Sequence, residues 1–226
     1  MTIAPSARPV AVRRPPHGLQ RRLDRFRYRS WFQGKEFTTD WSSGNFSLWR
    51  RVLWPLRNEP IKIIEIGSWE GRSAIFFLNF FDQSRMVCID TFAGNTEESK
   101  VYERLAGLLP DVEQRFDRNL APYKDRVEKI KSRSGPALEK LKLAGRRFDL
   151  AYIDGSHWRD DVMADSLGIW SLLDPGGIVI WDDYGWGLKS PPEERPQPAI
   201  DAFLHEREGA YRLLAKGYQV IVERLG

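Results

Sequence analysis

The stretch Ile64-Glu65-Ile66-Gly67-Ser68-Trp69-Glu70-Gly71-Arg72-Ser73 decides how this chain folds. A run of β-favouring residues leads into a loop that carries two glycines, and a second apolar run, residues 74–78, follows the loop at once. A short apolar run bounded by glycine is typical of a buried strand, and the run after the loop suits the start of a helix. The stretch therefore predicts a strand, a tight turn and a helix, the first unit of an alternating α/β fold.

The rest of the chain continues this alternation. Strands that alternate with helices of about 10–15 residues imply βαβ units and a parallel sheet. Residues 211–216 and 218–224 lie too close together for a parallel crossover, so we expect them to form an antiparallel hairpin. The predicted fold class is α/β, with a doubly wound, mostly parallel, Rossmann-like sheet and an antiparallel C-terminal hairpin strand. Strands are expected at residues 61–66, 86–90, 127–131, 148–153 and 177–181, and helices near residues 46–56, 97–122, 135–143, 158–173 and 197–207.

Two local patterns refine this assignment. In the helix predicted at residues 158–173, Met163, Leu167 and Trp170 recur at helical spacing, and we expect them to face the core. The tripeptide Asp174-Pro175-Gly176 has the composition of a turn, which we expect to precede the last parallel strand.

Length and composition favour one globular domain with extra terminal segments. The chain has 226 residues, of which 42% are hydrophobic and 29% charged, enough to build a sizeable core. Residues 1–18 carry four prolines and little apolar periodicity, so we expect a disordered basic tail. Residues 19–58 are interpreted as a helical and aromatic segment. This segment is a candidate lid or a candidate oligomer contact, so a homo-oligomer is one possible assembly. Residues 59–226 form the main domain.

The positive charge is concentrated at the start of the chain. Residues 1–30 hold eight arginines and one acid. They carry a net charge of +7, so the formal charge of +4 leaves −3 for the rest. Such a basic leader is typical of a solvated tail. Contact of the leader with nucleic acid, with an anionic membrane surface or with a partner is also possible. The sequence contains no apolar run of about 20 residues and no recognisable secretory signal, so we expect a cytoplasmic protein without a membrane span.

Polar residues follow the first three predicted strands, at the ends where a doubly wound sheet binds its ligands. Gly67 and Gly71 let the backbone turn tightly and approach a ligand closely, and Ser73 is expected to cap the next helix. Asp90 ends the second strand, where a carboxylate can accept both hydroxyls of a ribose. The polar turn at residues 132–135 suits an adenine edge. Together these features predict a nucleoside-binding site.

Four motifs carry a family resemblance: residues 64–73, Cys88-Ile89-Asp90-Thr91-Phe92, Tyr152-Ile153-Asp154-Gly155-Ser156-His157, and residues 176–184. Through them the chain resembles class I S-adenosylmethionine-dependent methyltransferases over residues 60–224, and above all the metal-dependent O-methyltransferases of the catechol and macrolide-sugar types. The resemblance implies that S-adenosylmethionine is the cofactor. It also implies that Glu65, Gly67 and Gly71 shape the methionine pocket, that Asp90 holds the ribose, and that Ser134 lies by the adenine. The predicted cofactor-binding residues are Glu65, Gly67, Ser68, Gly71, Ser73, Asp90, Ser134 and Asp154.

Three carboxylates are expected to meet where the fourth and fifth strands end. Asp154 follows one of these strands, and Asp182 and Asp183 follow the other. Adjacent parallel strands would bring the three side chains to one edge, where their charges repel unless one takes up a proton. A divalent cation resolves this conflict, and Mg²⁺ suits carboxylates plus retained waters. Helix capping or direct substrate binding by Asp182 or Asp183 remains open.

His157 lies beside the predicted acidic cluster, where it can act as a general base. In the sugar O-methyltransferases that the chain resembles, a histidine at this spacing has that role. We therefore predict catalytic roles for His157 and Asp154, and a hydroxyl of a small molecule or sugar as the methyl acceptor. The proline-rich stretch 185–198 is a candidate lid, and Trp181 is interpreted as a core residue.

Three other functions are considered. A metal-independent N- or RNA methyltransferase would use the arginine-rich leader to contact nucleic acid. However, residues 154–157 do not form the Asn-Pro-Pro-Tyr type of motif that N- and base methyltransferases use. Nucleic acid is therefore the less favoured partner. The spacing of Gly67 and Gly71, together with the three carboxylates, disfavours a nucleotide-dependent oxidoreductase. The intact set of acids and histidine disfavours a binding protein without catalytic activity.

Overall fold

The computed structural model describes residues 26, 28–94 and 106–226. Seven strands within these ranges form one sheet in the order β3-β2-β1-β4-β5-β7-β6. Strands β1 to β5 are parallel to one another, and β7 is antiparallel to both β5 and β6. The predicted fold class and the predicted hairpin are confirmed. The strands are β1 Lys62–Ile66, β2 Arg85–Asp90, β3 Val127–Lys131, β4 Phe148–Ile153, β5 Leu173–Trp181, β6 Tyr211–Lys216 and β7 Val220–Arg224.

Helices cover both faces of the sheet. Six α-helices are described: α1 Phe46–Leu53, α2 Arg72–Phe80, α3 Val112–Leu120, α4 Ser134–Leu143, α5 Arg159–Leu172 and α6 Gln197–His205. Short 3-10 turns lie at Arg29–Phe32, Ser43–Asn45, Trp54–Leu56, Ala106–Asp111, Ala121–Tyr123 and Pro192–Glu194.

The core divides into two layers because successive strand residues point to opposite faces of the sheet. Ile63 belongs to the layer that contains Phe76 and Phe77, whereas Ile64 belongs to the opposite layer with Phe203. The strand order reverses between β1 and β4, and such a switch point opens a crevice beyond the carboxyl ends of the strands.

Helix α1 belongs to the same core as the sheet. Phe46, Trp49 and Leu53 are buried on α1. The ring of Phe46 stacks on that of Phe76, with centroids 4.4 Å apart, and Trp49 stacks on Phe77 at 4.8 Å. Residues 46–53 therefore contribute apolar surface to the α/β core. A lid or oligomer role for the wider segment 19–58 stays a prediction.

Two local expectations are corrected. Leu167 on α5 is 45% exposed, so the predicted apolar face of this helix is wrong at that position. The buried apolar residues of α5 include Val162 and Ile169. The predicted turn at residues 174–176 lies inside β5, which begins at Leu173 and pairs with β4 through a register shift.

Some expectations fall outside the described residues. They concern the basic tail at residues 1–18, most of the arginine-rich leader, and the first part of the helix predicted at 97–122. From residue 106 onward, that predicted helix is a 3-10 turn followed by α3. Within the described ranges, no helix combines the length and apolarity that crossing a bilayer requires.

Candidate functional site

The loop after β1 passes very close to the end of β4, and Gly67 makes this approach possible. Gly67 has a φ of +85°, and a Cβ at this position would lie 1.9 Å from the carbonyl oxygen of Asp154. Gly71 has a φ of +80° and begins α2, where a Cβ would meet the side chain of Leu120 at 2.2 Å. Both glycines are thus explained by contacts within the protein, which hold the loop in a fixed shape.

Glu65 is a buried carboxylate beneath this loop. The hydroxyl of Ser73 donates a hydrogen bond of 2.5 Å to Glu65 Oε1. Ser73 makes no helix-capping hydrogen bond at this end of α2, which corrects that expectation. Among the described residues, Glu65 Oε2 has no hydrogen-bond partner. Burial raises the pKa of Glu65 to about 7, although the nearby hydroxyls of Ser68 and Ser73 lower it.

A small cavity lies against the loop. Gly67, Ser68, Ser73 and Asp154 line it from the sheet side, and the segment before α1 lines the other side with Phe37, Thr39, Trp41 and Ser42. The Ser68 hydroxyl is buried without a partner in the described part of the chain. The cavity therefore has a polar inner wall and an aromatic outer wall, and the sequence analysis did not predict the outer one.

Asp90 ends β2 beside the same loop. Its Oδ2 accepts a hydrogen bond of 2.7 Å from the backbone N–H of Trp69, and its Oδ1 accepts one of 2.6 Å from that of Phe92. Burial raises the pKa of Asp90, whereas these backbone donors lower it. Each carboxylate oxygen has a second lone pair, so Asp90 can still accept hydroxyl donors.

Ser134 begins α4, and its hydroxyl lowers the pKa of Asp165 of α5. Asp165 is 4% exposed, and burial raises its pKa to about 6. A Cβ built on Gly155 would lie 3.7 Å from Asp165 Oδ2. Asp165 thus links the turn after β3 to the loop after β4, and nothing in the local sequence pattern of α5 predicted this role.

Asp154, Asp182 and Asp183 come together at the carboxyl ends of β4 and β5. One carboxylate oxygen of each lies within 4.8 Å of the others. The register explains the meeting, since Ile153 and Trp181, the last residues of the two strands, are paired neighbours. An arrangement of this kind can hold a divalent cation.

The hydroxyl of Tyr152 joins two of these carboxylates. It lies 2.9 Å from Asp154 Oδ2 and also contacts Asp182 Oδ2, so its single proton serves both. Burial, followed by the charges of the neighbouring carboxylates, raises the pKa of Asp154 well above its usual range and that of Asp182 to about 6. Ionising all three carboxylates is therefore unfavourable without a cation.

His157 lies at the edge of the cluster, against Asp183. Its Nε2 is 2.9 Å from Asp183 Oδ2, and its ring stacks on Trp186 with centroids 4.3 Å apart. The hydroxyl of Tyr218 donates a hydrogen bond of 2.5 Å to the other oxygen of Asp183. These contacts fix the plane of the imidazole and place the Asp183 carboxylate between the His157 ring and the Tyr218 hydroxyl.

Two more buried contacts support the site, and the sequence analysis predicted neither. Glu70 accepts hydrogen bonds from the backbone and the hydroxyl of Thr38, at 2.7 and 2.6 Å, and forms a 2.5 Å ion pair with Arg115. Trp49 donates a hydrogen bond of 2.8 Å to Gln219. Trp181, by contrast, is 1% exposed, as expected of a core residue.

Comparisons with known proteins identify a family and solved structures with a similar fold. A family model described as a methyltransferase domain matches residues 64–184. A search of curated proteins by sequence returned no match.

Solved methyltransferase structures have a similar fold. The MycE methyltransferase from the mycinamycin biosynthetic pathway, in complex with Mg and SAH, has a TM-score of 0.57 and 16% identity over 88% of this chain and 53% of MycE. The O-methyltransferase TomG from Streptomyces achromogenes, in complex with SAM, has a TM-score of 0.58 and 15% identity over 96% of this chain and 93% of TomG. The O-methyltransferase NovP has a TM-score of 0.57 and 18% identity over 80% of this chain and 78% of NovP. The chain thus spans about half the length of MycE.

Proposed function

The chain belongs to the family of methyltransferase domains that matches residues 64–184, and from this premise we propose that it is an S-adenosylmethionine-dependent O-methyltransferase. In this proposal the acceptor is a hydroxyl of a small molecule or sugar, and a divalent metal ion assists the reaction. The observation that carries the proposal is the meeting of three carboxylates and His157 beside the loop after β1. MycE with Mg and SAH and TomG with SAM, although distant in sequence, agree with it.

The residues around the loop fit the methionine end of the cofactor. Glu65 Oε2 and the Ser68 hydroxyl are buried and lack partners among the described residues, and they suit an ammonium and a carboxylate. In the proposal Asp90 accepts the ribose hydroxyls, Ser134 lies by the adenine, and Gly67, Gly71, Ser73 and Asp154 shape the pocket wall. When bound, S-adenosylmethionine supplies a methyl group attached to a positively charged sulfur.

The carboxylates of Asp154, Asp182 and Asp183 fit a hard divalent cation. Their oxygens lie close together, and Mg²⁺ prefers oxygen ligands. When bound, the ion supplies positive charge that lowers the pKa of an acceptor hydroxyl. The same charge offsets the repulsion among the three carboxylates.

His157 is the proposed general base. In the proposal, its imidazole accepts the proton of the acceptor hydroxyl. Asp183 then stabilises the imidazolium, because a carboxylate 2.9 Å away favours the charged ring. Stacking on Trp186 holds the ring in the orientation that this transfer requires. S-adenosylmethionine would supply the methyl group, whose bond to sulfur would break as its bond to the acceptor oxygen forms, and positioning by these residues would contribute much of the acceleration.

Calorimetry with S-adenosylhomocysteine and Mg²⁺ tests the two binding sites. We expect the wild-type protein to bind both, and Asp154→Asn and Asp182→Asn each to lose Mg²⁺ binding. Asp160→Asn is the matched control, since Asp160 is an exposed carboxylate paired with Arg159, and it should bind Mg²⁺ normally. Nucleoside binding without Mg²⁺ binding would remove the metal from the proposal, and failure to bind the nucleoside would overturn the cofactor assignment.

An activity assay tests the base. Release of S-adenosylhomocysteine is measured across a panel of catechols and sugars with vicinal hydroxyls. Once an acceptor is found, His157→Ala should lower kcat by about 100-fold or more. His205→Ala replaces an exposed histidine at the end of α6 and should leave kcat unchanged. Equal activity of the two variants would reject His157 as the base.

A further inference from the structure

A buried amide, Gln219, lies behind the acidic cluster, and the proposed mechanism uses none of its atoms. Gln219 is 1% exposed and lies in the turn between β6 and β7. Trp49 of α1 is fully buried, and its indole Nε1 donates a hydrogen bond of 2.8 Å to Gln219 Oε1. The contact joins residues that are 170 positions apart in the chain.

The indole fixes which way the amide faces. An indole N–H can only donate, so the Gln219 atom that faces Trp49 must be the carbonyl oxygen. The amide nitrogen Nε2 therefore faces the opposite way. It is buried and makes no hydrogen bond of standard length to any described residue. Val220 pairs with Trp181 across β7 and β5, so Gln219 and Asp182 are the residues next to this pair at the same end of the two strands.

Asp182 already has two donors. The hydroxyl of Tyr152 contacts Oδ2, and the backbone N–H of Asp183 donates a hydrogen bond of 2.8 Å to Oδ1. The amide of Gln219 is a further N–H group beside this carboxylate, at the end of the neighbouring strand. A carboxylate held in this way has a fixed orientation when a cation arrives.

We infer that Gln219, held in place by Trp49, is a positioning residue that fixes Asp182 for the divalent cation. Helix α1 thereby helps to set the metal affinity of a site built by β4 and β5. The inference rests on the metal site of the proposed function, and it adds Gln219 and Trp49 as residues that position a metal ligand. If Gln219 served only to fill space in the core, an apolar side chain of similar size could replace it without loss of metal affinity.

The test measures Mn²⁺ binding to the full chain by electron paramagnetic resonance. Gln219→Met keeps the length of the side chain and removes the amide, and Trp49→Phe keeps an aromatic ring and removes the indole N–H. Each should weaken Mn²⁺ binding by about 10- to 100-fold while the affinity for S-adenosylhomocysteine stays unchanged. Trp54→Phe is the control, because Trp54 is 53% exposed, and it should bind Mn²⁺ like the wild type.

The double variant separates positioning from packing. If Trp49 acts through Gln219, Trp49→Phe/Gln219→Met loses no more Mn²⁺ affinity than Gln219→Met alone. Additive losses, or wild-type Mn²⁺ affinity in a folded Gln219→Met protein, would overturn the inference. A wild-type protein that binds S-adenosylhomocysteine but no Mn²⁺ would overturn it together with the metal part of the proposed function. Failure to bind the nucleoside would count against the cofactor assignment instead.

Discussion

At the scale of single residues, Gly67 carries the tightest steric demand near the site. Its backbone has a positive φ and lies against the carbonyl of Asp154, so a side chain there would collide with main-chain atoms of another strand. Backbone cannot move aside as a flexible side chain can. The loop after β1 and the start of the acidic cluster are therefore fixed relative to each other.

Gly67→Ala should destabilise the protein by more than about 3 kcal/mol, because it adds a steric clash to the cost of a positive φ. The control is Gly145→Ala, where φ is +66° and a Cβ would meet no atom within 4 Å. That variant should lose only about 1–2 kcal/mol. Urea unfolding of both variants measures the difference, and equal losses would show that the approach to Asp154 is not limiting.

Glu65 makes stability depend on pH. Its pKa is about 7 in the folded protein and 4.5 as the ordinary value, so between these values the folded state binds more protons than the unfolded state. The free energy of unfolding that this group contributes is fully present below pH 4.5 and is lost as the pH rises through 7.

Glu65→Gln should remove this contribution to the pH dependence. Without ligands, the wild-type protein should lose about 2–3 kcal/mol more than the variant between about pH 5 and pH 8. Other buried carboxylates, Asp165 among them, remain in both proteins, so the difference between the two proteins is the quantity to measure. Identical slopes in urea unfolding experiments would contradict the raised pKa of Glu65.

At the scale of elements, Glu70 joins three parts of the fold. Its carboxylate contacts Thr38 from the segment before α1 and Arg115 from α3, while its own backbone belongs to the loop before α2. The side chains of Glu70 and Arg115 are 1% and 9% exposed. A buried pair of this kind is costly to break, because the remaining charge stays buried.

Glu70→Gln should therefore lower the free energy of unfolding by about 3–5 kcal/mol. Glu223→Gln breaks an ion pair with Arg212, whose side chain is 61% exposed, and should cost less than about 1 kcal/mol. The comparison uses thermal or urea unfolding of both variants. A small loss for Glu70→Gln would mean that the three elements are held together by apolar packing.

At the scale of the whole molecule, the residues that could be predicted are those whose position follows from strand order. Asp90, Asp154 and Asp182 each follow a short apolar run, and parallel strands present such residues at one edge. Trp49 and Gln219 could not be predicted, because their contact depends on how α1 and the hairpin pack on the sheet. Leu167 was misplaced because helical periodicity alone does not fix which face of a helix is covered.

Removal of residues 1–58 should abolish cooperative thermal unfolding. Phe46, Trp49 and Leu53 cover the layer of the core that contains Phe76 and Phe77, so the shortened chain would expose large aromatic side chains to water. Near-ultraviolet circular dichroism and calorimetry of the shortened and full chains measure the effect. A sharp transition in the shortened chain would support residues 59–226 as a domain that folds alone.

The position of β7 between β5 and β6 has a consequence for biosynthesis. Residues 220–224 pair with β5, yet they are made about 40 residues later, which takes several seconds on a ribosome. During this interval β5 exposes an unpaired edge, the kind of surface that promotes aggregation. A nascent chain paused before residue 220 would therefore be a substrate for chaperones.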